Sequence, residues 1–322
     1  MKTNGIEPNL THPSVPALFL ERLKRILGED LYSLYGIKGF EYDKLVTVRI
    51  NLLKISIKEI EEILKNLGIA FRPVSWYPQA LVLENITSQE LGQTGLLDKG
   101  FLYSQALSSL LPVFILDPKP GERVLDLCAA PGSKTTQIAA LMNNEGQIVA
   151  VENIRGRFYK LKSVLSLLGA EIVNVKMMDG RRYRDTEGFD KILVDAPCSS
   201  EGRFKTADKK SYAYWSLRKI KEMVHKQRGL LLSASRLIRP GGTLVYSTCT
   251  FAPEENEGVI NWFLKKSGGA FKVEPIALDE VVRYPAVGEW EERIYDPDVK
   301  NCFRVLPTKE MEGFFIAKLV KI

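Results

Sequence analysis

The sequence predicts an α/β fold: a mostly parallel sheet with helices on both faces, preceded by a smaller α+β domain. Three observations predict it. Strand and helix patterns alternate after residue 115, the strands of that half are near-continuous apolar runs, and 322 residues suffice for about two domains of roughly 150 residues each. Strands lacking a polar face are buried on both sides, as in a parallel sheet covered by helices. A content of 45% hydrophobic and 26% charged residues is ordinary for a globular chain and excludes disordered, collagen-like and coiled-coil classes. No apolar run reaches the roughly 20 residues of a membrane helix. The opening MKTNGIEPNLTHPSVP is polar and carries no apolar centre of a secretion signal. The expected location is the cytoplasm, with no membrane partner.

Residues 1–115 read as the smaller domain. PALFLERLKRILGEDLYSLYG spaces its apolar residues by three and four and predicts one or two helices. VTVRINLL, around Arg49 and Asn51, is β-rich. Ser56 caps a helix to about Asn66, with Glu59 completing a capping box. SQALSSLLPVFILD is a further helix, stopped by the Pro118-Lys119-Pro120-Gly121 turn.

Residues 116–322 supply the alternation. RVLDL (Arg123–Leu127), QIVAVE (Gln147–Glu152), EIVNVK, KILVDA (Lys191–Ala196), TLVYST and GFFIAKLV read as strands. Helices fall at Ser133–Met142, Ile154–Leu168, from about Tyr214 to Ile238, and near Glu255–Lys265. Ligands of such sheets collect at the carboxyl ends of the strands, and every motif that stands out lies there.

The inventory narrows the chemistry. Cys128, Cys198, Cys249 and Cys302 form no CxxC pair, and the two histidines are His12 and His225. Zinc sites, a disulfide framework and Ser-His-Asp hydrolysis are therefore not expected, and no metal is. At the first strand end, Cys128-Ala129-Ala130-Pro131-Gly132-Ser133-Lys134 offers small residues for close backbone approach and free N–H groups of a following helix. With a single glycine it is not GxGxxG, so a nicotinamide dinucleotide is a poor fit. Glu152 and Asp179 close the next two strands. Either acid alone is an ordinary cap or surface group; together beside the loop they suit a ribose diol and an adenine amine. Asp195-Ala196-Pro197-Cys198 and Ser247-Thr248-Cys249 then place two thiols over one cleft. A buried cysteine is commonly inert, whereas a thiol of lowered pKa is a nucleophile.

The net charge of +6 is a mild bias toward anionic partners. Between Arg203 and Arg228 stand Arg203, Lys205, Lys209, Lys210, Arg218, Lys219, Lys221, Lys226 and Arg228, against Asp208 and Glu222. Phe204, Tyr212, Tyr214 and Trp215 are interleaved with them. This is either a nucleic-acid surface with stacking aromatics or a solvated helix face with its aromatics in the core.

DLCAAPGSKT, DAPCSSEG and YSTCTFAPEENE resemble the signatures of the Sun (Fmu) family, RNA cytosine-C5 methyltransferases that use S-adenosylmethionine. VRINLLK, YSQALSSLLPV and FRVLPTKEMEGFFIAKLVK extend the similarity over roughly residues 45–320. The resemblance implies a Rossmann-like class I methyltransferase fold with a seven-stranded sheet. It implies that Cys128–Lys134 hold the methionine part of the cofactor, that Glu152 binds its ribose and Asp179 its adenine, and that Arg157 belongs to the same set. Asp195 would lie by the base and the cofactor, with Lys134 in the same cleft. Two thiols suit cytosine chemistry, because addition at C6 makes C5 nucleophilic. Spacing does not choose between them; the resemblance implies Cys249 as nucleophile and Cys198 as the thiol that assists release. The expected partner is tRNA or rRNA, recognised in part by the N-terminal domain, and the expected state is a monomer. The alternative is an RNA-binding or ribosome-assembly factor with an incidental cofactor site.

Overall fold

The computed structural model describes residues 15–41 and 44–322; the polar opening segment with His12 lies outside the described residues. The chain begins with helix α1 (Ala17–Tyr35), broken at Gly28, where φ of +75° interrupts the helical backbone, and a short α2 (Lys38–Glu41). Strand β1 (Val46–Ile50), helix α3 (Ile57–Asn66), strands β2 (Phe71–Val74) and β3 (Tyr77–Leu83), helix α4 (Ser88–Gln93) and strand β4 (Leu102–Ser104) follow. The four strands form an antiparallel sheet in the order β2-β3-β1-β4. The capping box of Ser56 and Glu59 starts α3, and Thr87 with Glu90 builds a second one at α4 that the sequence reading passed over. Ile60 and Leu64 of α3 pack on Val48, Ile50, Leu81 and Leu83, which fixes the sheet's inner face.

Helix α5 (Leu107–Leu116), strand β5 (Arg123–Asp126), helix α6 (Ser133–Leu141), strand β6 (Gln147–Glu152), helix α7 (Arg155–Leu168) and strands β7 (Val173–Met177) and β8 (Phe189–Asp195) open the larger unit. Helix α8 (Leu217–Leu237), strand β9 (Ile238–Thr248), helix α9 (Glu257–Ser267) and strands β10 (Phe271–Glu274), β11 (Arg283–Tyr284), β12 (Glu289–Trp290), β13 (Arg293–Ile294), β14 (Phe303–Val305) and β15 (Phe314–Lys321) complete it. The large sheet runs β11-β14-β15-β9-β8-β5-β6-β7. β7, β6, β5, β8 and β9 are parallel, and β15 inserts antiparallel beside β9. The sheet has nine strands rather than seven because two short strands share one edge of β15. β14 pairs with its first residues, β10 with its last, and β11 adds a rung on β14.

Strand alternation assigns each side chain to a layer. Val124, Ile148, Ala150, Leu193, Val245 and Ile316 face α5, α6 and α7, whereas Leu125, Val149, Val151, Ile192, Val194, Leu244 and Phe315 face α8 and α9. Every one of them is apolar and buried, each stabilising by roughly 1.5–3 kcal/mol for the larger side chains. Helix α5 lies before residue 116, yet it packs on β8, β9, β15 and α6 and belongs to the covering layer of the large sheet.

Two buried polar groups tie the small sheet to the large one. Arg49 of β1, 1% exposed, donates to Gln105 Oε1 at 3.2 Å, Thr136 Oγ1 at 2.8 Å and the Thr136 carbonyl at 3.3 Å. Burial lowers its guanidinium to about 10, still protonated at neutral pH. Asn51 caps the end of α7 by donating to the Leu168 carbonyl, and also to that of Gly100, both at 2.9 Å. Helix α1 goes elsewhere: Phe19, Leu23 and Leu27 pack with Phe204, Tyr212, Phe251 and Leu306 of the larger unit. No helix among the described residues is long and apolar enough to cross a membrane.

A buried ion pair fixes the far edge of the sheet. Arg304 of β14 and Glu257 of α9 are both fully buried and meet in a two-bond fork, Nε to Oε1 and Nη2 to Oε2, each at 2.5 Å. Removing one partner leaves an uncompensated charge. Arg304→Met is expected to lose about 3–5 kcal/mol in urea unfolding, and Arg304→Met/Glu257→Gln to recover part of it; equal losses in both would contradict this account.

Candidate active site

The sheet reverses its strand order beside β5, with β6 and β7 on one side and β8 and β9 on the other. That switch point opens a crevice at the strands' carboxyl ends. Two adjoining clefts of about 390 Å³ and 300 Å³ fill it, with Cys128, Ala130, Arg157, Asp195, Arg203 and Cys249 common to both.

The loop after β5 is built from below. Asp126 is buried; its Oδ2 accepts the Thr135 hydroxyl at 2.7 Å and its Oδ1 the Cys128 N–H at 3.3 Å. Burial raises this carboxyl to about 6 against the pull of Thr135. Gly132 has φ of +112°, and a Cβ there would press on Leu161 and Val164 at 3.0–3.1 Å, so the loop sits directly on α7. The first turn of α6 carries no side-chain cap and leaves backbone N–H groups for an anionic ligand. The Cys128 thiol lines both clefts and is pushed well above its ordinary range by burial and by Asp126.

Glu152 ends β6 with 4% exposure. Its Oε1 accepts the Ile154 N–H at 2.8 Å, and Arg157 approaches its Oε2 at 3.5 Å. Arg157 also donates to the Ala130 carbonyl at 2.5 Å, tying loop and acid together. Asp179 lines the same cleft, but its carboxylate is held by Arg181, at 3.0 Å through Nε and 2.5 Å through Nη2. The bond to Arg181 keeps it below the usual carboxylate range. The sequence reading had not given Asp179 this partner.

Asp195 ends β8. Ser247 donates its hydroxyl to Oδ1 at 2.7 Å, and Lys134 Nζ lies 2.8 Å from Oδ2. Lys134 also donates to Ser109 Oγ at 2.8 Å. One turn onward, Cys198 Sγ lies 3.3 Å from Cys249 Sγ, with the Ser200 hydroxyl 3.6 Å from Cys249. The contact with Cys198, the charge of Arg203 and the Ser200 hydroxyl hold Cys249 below its ordinary range. The same contact, with burial, pushes Cys198 well above it. Of the two thiols, Cys249 is therefore the more readily ionised.

Three residues that sequence reasoning gave no role, Gly202, Glu201 and Glu255, hold this pair, together with Arg203 of the basic stretch. Gly202 donates its N–H to the Cys249 carbonyl at 2.9 Å, and a Cβ there would overlap the Gly313 carbonyl. Glu201, buried, accepts from Thr250 Oγ1 at 2.9 Å, the Phe251 N–H at 3.0 Å and Trp215 Nε1 at 2.7 Å. Glu255, also buried, accepts the Ser199 N–H at 3.0 Å and Gln227 Nε2 at 2.8 Å. Burial raises Glu255 to about 8. Arg203 follows on the same loop and pairs with Glu312 at 3.6 Å. The sequence signal for the two acids was available: each sits inside a strand-end motif with no basic neighbour.

The aromatics of the basic stretch divide against the stacking expectation. Phe204 and Tyr212 are buried under α1, and Trp215 packs there with its N–H on Glu201. Of the four, Tyr214 alone is widely exposed, at 88%.

Residues 113–320 match the family model described as 16S rRNA methyltransferase RsmB/F. A tRNA (cytosine(49)-C(5))-methyltransferase of Pyrococcus abyssi is 38% identical over 279 residues, covering 85% of this chain and 88% of that protein. Ribosomal RNA small subunit methyltransferase F of Serratia proteamaculans is 34% identical over 313 residues, and this chain spans 63% of its length. A crystal structure of a methyltransferase homolog from Pyrococcus horikoshii superposes with a TM-score of 0.78 at 32% identity, covering 96% of this chain and all of that one.

Two outcomes follow from the geometry. If Cys198 stabilises the Cys249 thiolate, Cys198→Ala slows iodoacetamide alkylation of Cys249 at neutral pH, whereas Cys249→Ala leaves Cys198 unreactive; equal rates would refute the pairing. Glu255 is protonated more readily in the fold than in the unfolded chain, where its ordinary value is 4.5. Its contribution to stability therefore falls as pH rises from about 4.5 to about 8. Glu255→Gln, neutral throughout, is expected to flatten the Tm profile over that window, and an unchanged slope would remove the argument.

Proposed function

Because the chain belongs to the RsmB/F family of 16S rRNA methyltransferases, we propose that it methylates C5 of a cytosine in tRNA or rRNA, with S-adenosylmethionine as methyl donor. The observation that carries this reading is the thiol pair at 3.3 Å in one crevice with the Asp195–Lys134 pair.

The residues fit the cofactor. The buried Glu152 carboxylate suits a ribose diol, and the uncapped first turn of α6 suits a carboxylate. Asp179 can accept an adenine amine beside Arg181, and Arg157 closes the loop over Glu152. When bound, the cofactor supplies an electrophilic methyl group on a sulfonium.

Cys249 adds as thiolate to C6 of the cytosine, and the electron pair of the C5–C6 bond moves into the ring toward N3. Asp195 stands by N3, its position set by Ser247 and Lys134, and relays to N3 a proton from the Lys134 ammonium with which it is paired. C5, now enamine-like, would be the atom to accept a methyl group from the bound cofactor, whose sulfonium would leave as a thioether. Transfer of the C5 proton to solvent re-forms the C5–C6 double bond and expels Cys249 as thiolate. Cys198, the protonated member of the pair, assists that release. The target base must be unpaired or flipped, since C6 is shielded in a stack.

The N-terminal residues to about 115 and the exposed lysines after Cys198 supply the proposed RNA surface, working in the cytoplasm as a monomer. An RNA-binding factor with an incidental site would have no use for a poised thiol pair or for the buried acids that hold it.

Cys249→Ala is expected to abolish turnover while S-adenosylmethionine binding persists. Cys198→Ala, mixed with the cofactor and unmodified RNA, is expected to accumulate a denaturant-resistant protein–RNA adduct that the double variant Cys198→Ala/Cys249→Ala lacks. Near-native turnover in Cys249→Ala would sink the mechanism; sequencing the trapped RNA identifies the substrate.

A further inference from the structure

A second cleft, of about 460 Å³, lies between the first half of α8, the start of α9 and the β12–β13 hairpin. Lys221, Arg228, Lys265 and Arg293 line it. The two acids in its wall are already engaged, Glu254 with Arg22 at 2.7 Å and Glu291 with Arg25 at 3.2 Å. The four cations have no such partner among the described residues.

Its donors are also unmet. Trp290 lines the cleft with 6% exposure, and among the described residues its buried indole N–H has no acceptor; neither do the Nε–H groups of Arg228 and of Arg22, which is equally buried. Arg228 lies against the Trp262 ring at 4.9 Å and Arg25 against Trp290 at 4.5 Å, so the guanidinium planes are held in place. Burial, and next the like charge of Arg293, lower Arg228 from its ordinary range. A buried donor left unpaired costs about 1–3 kcal/mol, and several such donors with several free cations call for an acceptor-rich anion.

Helix α8 connects this cleft to the catalytic crevice. Lys226 and Leu230 line the crevice, while Lys221, Val224 and Arg228 line the second cleft. One helix diameter, about 10 Å, separates them. We propose that the second cleft anchors a backbone phosphate of the substrate RNA where the strand crosses α8, an inference that rests on the RNA reading above. Trp290 and Arg228 donate to the phosphate oxygens, and Lys221 and Lys265 neutralise the strand at the rim. Such a contact sets position and affinity, not base identity.

Lys265→Glu and its helix neighbour Lys266→Glu carry the same charge change, but only Lys265 lines the cleft. Trp290→Phe keeps the ring and removes the N–H. The probe is an unmodified tRNA transcript, read by filter binding over a salt series and by methyl transfer. Lys265→Glu is expected to reduce the salt slope by about one relative to Lys266→Glu and to raise KM for RNA with kcat preserved. Trp290→Phe, checked for native Tm, is expected to weaken binding about tenfold. If the parent protein methylates the transcript and Lys265→Glu matches Lys266→Glu in slope and KM, the inference falls and the cleft serves another anion, such as a phosphorylated peptide. If the parent binds and methylates neither this tRNA nor 16S rRNA, the RNA reading itself fails and takes the inference with it.

Discussion

In the parallel pairing of β8 with β9, Asp195 lies opposite Ser247, and the arrangement of the candidate site follows from that register. Neighbouring strands run about 4.8 Å apart, so residues shortly beyond the last rung on each strand must meet. Cys198 and Cys249 are those residues. The same rung places the Ser247 hydroxyl on Asp195 and brings the carboxylate within reach of Lys134, which arrives from the neighbouring strand's helix. A shift of one residue in either strand would turn Asp195 into a covering layer and part the thiols.

Holding two strand-end loops against each other requires buried polar groups, and the molecule uses carboxylates. Glu201 gathers three donors from the Cys249 loop and Trp215, while Glu255 gathers the Ser199 amide and Gln227. Asp126 does the same beneath the loop after β5. A buried acid is costly unless satisfied, and each of these is satisfied. What they provide is a fixed backbone for the loops that carry the two thiols.

The smaller sheet is coupled to this machinery through few but specific bonds. Arg49 reaches from β1 to the first turns of α6, the helix that carries Lys134, and Asn51 holds the end of α7. Helix α1 bypasses that sheet altogether and covers the segments that follow Cys198 and Cys249. The N-terminal part is thus bonded both to the helix that follows the β5 loop and to the segments that follow the thiols.

The alternation of apolar strands with helices, the capping box at Ser56, and the thiols and acids at successive strand ends were legible in the amino-acid sequence, because they depend on local periodicity and on residue type. Local pattern also marked the loop around Gly132 as one of small residues, while the contacts of Leu161 and Val164 that exclude a side chain there belong to the tertiary structure. Local pattern could not determine the pairing of Arg181 with Asp179, the two strands sharing the edge of β15, or the burial of Phe204, Tyr212 and Trp215 beneath α1. Each depends on contacts between segments distant in the chain or on a choice among partners of equal local merit. The identity of the poised thiol was of this second kind. Cys198 and Cys249 are equivalent by spacing and equally buried, and what distinguishes them is the charge of Arg203, which favours ionisation of Cys249, and the charge of Glu255, which opposes that of Cys198.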